Sequence, residues 1–210
     1  MDAAFFRAWL TQAAAAVEEQ RDHLTQLDAA IGDADHGINL ARGFGAVTAA
    51  LEQASTQTPG AVLTLAGATL ISKVGGASGP LYGMALRQAG KSLGDVDDAD
   101  LPALAAALEA ALAGVQKLGA AREGDKTMVD ALAPAVAAIR QAIADGLPAS
   151  AALAACADAA TAGAQATIAM HALKGRASYL GPRSVGHEDP GAASTALILG
   201  ALRDVGQQAG

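Results

Sequence analysis

Helical periodicity runs through almost the whole chain, and no segment carries the Val- and Ile-rich alternation of a strand. Near the start, Phe6, Leu10, Ala13, Val17, Leu24, Leu27 and Ile31 return at helical spacing, while Glu18, Glu19, Arg21 and Asp22 face away from that stripe. A chain patterned in this way has to bury helix against helix. The pattern predicts eight helices, at roughly 3–27, 37–54, 60–73, 79–90, 100–118, 126–144, 149–171 and 190–207. Thr58-Pro59, Asp100 with Pro102, Pro148 and Asp189-Pro190 are start signals. Only 3% of the residues are aromatic and alanine is the commonest residue, so the helices are expected to pack closely. No shift in composition divides the chain, and residues 1–210 are expected to form a single domain.

The connections fall into two kinds. After the second, fourth and sixth helices they are bland: Ser55 to Pro59, Lys91 to Asp98, and Asp145 to Pro148. After the first, third, fifth and seventh they are unusual: Asp28 to Gly37, Val74 to Pro80, Gly119 to Thr127, and the long stretch from Lys174 to Gly191. In an antiparallel up-and-down array, alternate loops lie at the same end. The four unusual loops therefore converge, and the helices that follow them point their N-termini at one place. Each such terminus carries unpaired N–H groups and a partial positive charge, so the array predicts an anion site.

Charge and cysteine usage exclude several partners. A net charge of −7 argues against nucleic acid, which asks for a basic face. Cys156 is the single cysteine, sits in an alanine-rich helix, and is expected to be buried and inert. The N-terminus lacks the order of a signal peptide, and no apolar run reaches the length of a membrane span. A cytoplasmic protein with no membrane partner is the resulting expectation.

The acidic loop carries the most chemistry. Asp28, Asp33 and Asp35 lie close together, and packing carboxylates so tightly is unfavourable unless a cation compensates them. A hard, oxygen-seeking ion such as Mg²⁺ or Ca²⁺ is indicated. An EF-hand is excluded, because its sixth position is Ile38 and its twelfth is Phe44. Carboxylates sharing a magnesium with phosphate oxygens fit better; the alternative is that Asp33 and Asp35 only cap the next helix. His36 reads as a polar neighbour of the metal or phosphate, or as a phosphorylated carrier. In Gly75-Gly76-Ala77-Ser78-Gly79-Pro80, backbone N–H groups and Ser78 suit a phosphate. Gly119 to Thr127 misses the Walker spacing by Asp125, and either contacts a nucleotide or caps a helix. The last loop holds Lys174, Arg176, Arg183 and His187. It is either a solvated basic loop or a flexible cover that brings Arg176 onto a phosphate.

Taken together and in order, Gly32 to Gly37, Gly75 to Pro80, Gly124 to Met128, Gly175 to Gly181, Gly186-His187 and Asp189 to Gly191 resemble the L-subunit family of dihydroxyacetone kinases. The resemblance spans essentially the whole chain. It implies an all-α fold of eight antiparallel amphipathic helices in an up-and-down barrel, with a nucleotide at one end. It implies Asp28, Asp33 and Asp35 as ligands of magnesium ions held against the diphosphate. It implies nucleotide contacts at His36, Gly37, Ile38, Asn39, Ala77, Ser78, Gly119, Met128, Arg176, Asp189, Pro190 and Gly191. Met128 suits an apolar contact to adenine, and Arg176 suits charge neutralisation on phosphate.

The activity implied is phosphoryl transfer shared among subunits. In the phosphotransferase-linked form of the family, ADP stays bound to the L subunit and is phosphorylated to ATP by the carrier M subunit. The L subunit then passes the phosphoryl group to dihydroxyacetone held by the K subunit, so no catalytic side chain is expected here. Three further readings remain: an L domain exchanging free ATP, the nucleotide domain of a related small-molecule kinase, and a helical regulatory module without catalysis.

Overall fold

The computed structural model describes residues 1–208; residues 209 and 210, included in the expected single domain, lie outside the described residues. Among the described residues there are nine α-helices and no strand: α1 (Ala3–Glu19), α2 (Arg21–Ile31), α3 (His36–Gln53), α4 (Pro59–Lys73), α5 (Ser78–Leu93), α6 (Leu101–Gly119), α7 (Val129–Ala144), α8 (Ala149–Ala166) and α9 (Pro190–Gln208). Short 3₁₀ turns follow α8 at Thr167–Ala169 and precede α9 at Arg176–Ser184. Helices α1, α3, α4, α5, α6, α7, α8 and α9 pack in that order, and α9 returns to α1. This is the closed up-and-down barrel that the periodicity and the resemblance implied. Side chains from the wall helices meet inside it, including Phe6 and Leu10 of α1, Phe44, Leu63, Leu104, Ile139 and Leu202. The seam is tied by the Trp9 indole N–H, which donates to the Ile198 carbonyl at 2.8 Å.

Interlocked glycines set the tightest wall contact. A Cβ on Gly60 of α4 would stand 2.1 Å from the Gly94 carbonyl oxygen, and one on Gly67 would stand 2.6 Å from that of Gly83 on α5. Gly60 with Gly67, and Gly83 with Gly90, are two turns apart, so each helix offers a matching pair and the backbones touch.

Three differences from the sequence expectation matter. The first predicted helix bends at Gln20, which has no helical ψ, into α1 and α2. No Gly or Pro marks the bend; just after it α3 packs on α2 at Gly37, whose missing side chain lets it rest on the Arg21 carbonyl. A Cβ there would come within 2.0 Å of that oxygen. Next, α7 begins at Val129 rather than near 126, because Lys126 takes a left-handed backbone with φ 62°. Finally, α6 is long and apolar enough to cross a membrane by length and composition, contrary to the expectation that no run is. Its Leu104, Leu108, Ala111 and Val115 are buried, and the helix packs between α5 and α7.

Candidate functional site

The four unusual loops meet at one end of the barrel and line a single cleft. Its walls include Asp28, Asp33, Asp35 and His36; Gly76, Ala77, Ser78 and Tyr82; Lys126, Thr127 and Met128; and Arg176 with Asp189, Pro190 and Gly191. Helices α3, α5, α7 and α9 all begin here.

Asp28 organises the acidic side. It projects from the last turn of α2, and its Oδ2 accepts the backbone N–H groups of Asp35 at 2.9 Å and His36 at 3.1 Å. It thereby closes the first turn of α3 from a neighbouring helix. Gly32 permits this, because a Cβ there would lie 2.0 Å from Asp28 Oδ1. Asp35 holds the N-cap position of α3 but makes no capping bond with its side chain. Capping by its own carboxylate therefore does not account for Asp35. One oxygen from each of Asp28, Asp33 and Asp35 lies within 4.8 Å of the others. Three hard carboxylate donors at that span suit Mg²⁺ or Ca²⁺ rather than a thiolate- or imidazole-seeking metal. Arg176 crosses the cleft to Asp33, with 3.0 Å between guanidinium and carboxylate.

Behind this rim lies a buried polar chain. His36 Nδ1 meets the Ser78 hydroxyl at 3.0 Å, and Nε2 meets the Ser194 hydroxyl at 2.8 Å. Burial pulls the imidazole below its usual pKa, against the opposing pull of Asp28 and Asp35. With both ring nitrogens engaged, His36 is a strut between α5 and α9, a poor geometry for a phosphorylated carrier. The Tyr82 hydroxyl continues the chain, donating to the Gly191 carbonyl at 3.0 Å or to the hydroxyls of Ser194 and Thr195 at 2.7 and 2.9 Å. Its phenol is pushed up to about 12, chiefly by burial.

The far side is held by buried charges. Asp130, in the first turn of α7, accepts the N–H groups of Gly124 at 2.5 Å and Thr127 at 2.7 Å, folding the preceding loop onto the helix. Asp189 caps α9 by accepting the Ala192 N–H at 2.8 Å. Its carboxyl is raised to about 7, first by burial and then by Asp130, with the Ala192 N–H and Lys126 opposing. The Lys126 ammonium donates to the carbonyls of Thr167 at 2.6 Å, Met170 at 3.2 Å and His187. The long last loop is thus a built structure. Residues Arg176–Ser184 form 3₁₀ turns, and Ala172 and Ala177 pack on Ile31.

Not every anticipated residue reaches the cleft wall. Gly37 is packed against α2, Ile38 is 51% exposed, and Asn39 accepts from Arg42 at 2.8 Å. Gly119 ends α6 and stands beside Leu81, itself a wall residue. Sequence reasoning passed over Tyr82, Lys126 and Asp130. A buried-type aromatic about one turn along the helix from Ser78, and two charges on either side of the Thr127-Met128-Val129 run, were the available signals.

A closed barrel of antiparallel helices with a carboxylate-rimmed cleft at the mouth defines the class of protein. The model of the DAK2 domain matches residues 30–204, and the chain belongs to the DAK2-domain family. It is 42% identical over 195 residues to the ADP-binding subunit DhaL of PEP-dependent dihydroxyacetone kinase 1 from Listeria innocua, covering 92% of both chains. It is 42% identical over 191 residues to the ADP-binding subunit DhaL of the Escherichia coli PEP-dependent dihydroxyacetone kinase, covering 91% of each. Among solved structures, the dihydroxyacetone kinase of C. freundii in complex with AMP-PNP and Mg²⁺ superposes with a TM-score of 0.72 at 29% identity. That match covers 97% of this chain and 34% of the larger one, so the chain spans about a third of that structure.

Proposed function

We propose that residues 1–210 form one nucleotide-binding domain that acts as the ADP-binding subunit of a PEP-dependent dihydroxyacetone kinase. The observation that carries this reading is the cluster of Asp28, Asp33 and Asp35, whose oxygens lie within 4.8 Å at a cleft where four helices begin. The 42% identity to subunits named for ADP binding supports ADP as the ligand of the cleft.

Asp28, Asp33 and Asp35 hold magnesium. A magnesium held by these carboxylates would supply positive charge against the phosphates during transfer. Asp28 also keeps the α3 terminus in register with that site through its two N–H bonds. Ala77 and Ser78 offer the uncapped first turn of α5 to phosphate. Asp189, Pro190 and Gly191 present the start of α9 from the opposite wall, and buried Met128 gives adenine an apolar face. His36 keeps Ser78 and α9 aligned through its two hydrogen bonds. Gly37, Ile38, Asn39 and Gly119 frame the edge of the site, Gly37 through its backbone. Arg176 neutralises charge on the transferring phosphoryl group and pairs with Asp33 when that group is absent.

The partners in this reading are a K subunit that holds dihydroxyacetone and a phosphoryl-carrier M subunit of the phosphotransferase system, the whole set working in the cytoplasm. Ile38, Leu173, Tyr179 and Val185, exposed apolar residues on the cleft-forming loops and first turns, give such partners a surface; Tyr179 is 88% exposed. Purified chain dialysed against magnesium buffer should retain ADP, and with K subunit, carrier proteins and phosphoenolpyruvate it should form dihydroxyacetone phosphate. Rapid loss of nucleotide, with turnover on free ATP and K subunit alone, would replace this reading by an ATP-exchanging kinase.

A further inference from the structure

Lys126 is the most unusual buried group outside the acidic cluster. It is 1% exposed, yet it carries an ammonium whose three partners are all backbone carbonyls. A neutral amine has only two N–H donors, so three accepting carbonyls define a charged group. Those carbonyls belong to Thr167 and Met170, just after α8, and to His187, just before α9. They are the two ends of the long last loop. Three further bonds join the same pieces: the Leu173 N–H donates to the Asp125 carbonyl at 3.0 Å, the Gly186 N–H to the Ile168 carbonyl at 2.7 Å, and the Asp189 N–H to the Thr167 hydroxyl at 2.9 Å. The backbone at Lys126 is left-handed, which for a non-glycine residue is a strained choice. In this conformation the side chain runs inward to the carbonyls.

We propose that Lys126 is a positioning residue, a built-in cation whose carbonyl cage clamps both ends of the 167–189 loop and so sets the placement of Arg176 and Asp189 to Gly191 over the cleft. The inference rests on the nucleotide reading for its consequence, but the clamp itself is a property of this chain. Without the ammonium, three converging carbonyl dipoles face one another around a void, and each end of the loop loses its charged tie and keeps only the neutral hydrogen bonds. Burial lowers the lysine pKa, and the neighbouring Asp189 opposes that shift.

The test is chemical rescue. Lys126→Ala removes Cγ, Cδ, Cε and Nζ, the atoms of n-propylammonium. Trypsin should cut the variant after Lys174, Arg176 and Arg183 at least about tenfold faster than the wild-type chain, with the rest of the barrel still protected. Added n-propylammonium should slow those cuts, and n-propanol should not. Mg–ADP affinity should fall about tenfold and recover with the same amine. Lys126→Met, which keeps apolar volume but not the charge, should show the same loop cleavage even if the alanine variant does not fold. Equal cleavage of variant and wild type, acceleration spread evenly over the chain, or rescue by the alcohol would overturn the clamp. If the wild-type chain binds no Mg–ADP, the nucleotide reading and the positioning claim fail together, while the cleavage ratio still decides whether the clamp exists.

Discussion

The two ends of the barrel are made by different rules. At the closed end, α1, α4 and α6 begin with side chains that cap their own helices: Asp2 accepts from Phe5, Thr58 from Ala61 and Asp100 from Ala103. At the cleft end, α3, α5 and α7 have no such cap. The amides of α3 are met by Asp28 from another helix, and the loop before α7 is held by Asp130 from inside it. The division has two exceptions, since α8 starts at Pro148 without a side-chain cap and α9 is capped by Asp189. A local cap serves only its own helix. A terminus closed from a distance, or left open, ties several elements together and leaves N–H groups to meet an anion. One end of the barrel is scaffold, and the other is assembled across the chain.

Damage to the two ends should therefore separate binding from stability. The largest effect is expected from Asp33→Asn or Asp35→Asn, which should weaken Mg–ADP binding by more than about a hundredfold while helicity by circular dichroism is unchanged. Unaltered affinity in calorimetry would remove the metal from this cluster. Gly60→Ala should do the reverse. Its Cβ meets the Gly94 carbonyl oxygen at 2.1 Å, so about 1–3 kcal/mol of stability should be lost in urea unfolding, with nucleotide affinity kept. Arg176→Ala should slow phosphoryl transfer by roughly tenfold or more and leave ADP retention in place; wild-type rates would end its phosphate role. Thr58→Ala should lower stability by about 1 kcal/mol, with no change in the assay of either ligand or transfer. The smallest effect concerns Cys156. Burial in α8 pushes its thiol up to about 12, so alkylation at mildly alkaline pH should wait for unfolding, and prompt labelling of the native chain would show α8 to be loosely held.

Much of the architecture was legible because it is repetitive. Helical spacing, start signals such as Thr58-Pro59, and alternation of bland and unusual loops are all local patterns. Together they place one end of an up-and-down array above the other. The carboxylates were legible for a related reason: Asp33 and Asp35 sit two residues apart, and Asp28 is one short loop away. The bend at Gln20 was not legible, because no Gly or Pro marks it and the close contact beside it, Gly37 on the Arg21 carbonyl, comes from another helix. Nor was the work of Lys126 or Tyr82. The first finds its acceptors as much as 61 residues away, and the second as much as 113.

The sequence by itself determined that the chain is helical, how many passes it makes, and which loops hold the carboxylates and glycines. Periodicity and local chemistry carry that information within a few turns of helix. Only the tertiary structure decided which carboxylate serves α3, that His36 is a strut between α5 and α9, and that a lysine bolts the last loop down. Those outcomes depend on burial and on partners supplied by distant segments, and a donor or acceptor does not reveal its partner until the barrel has closed.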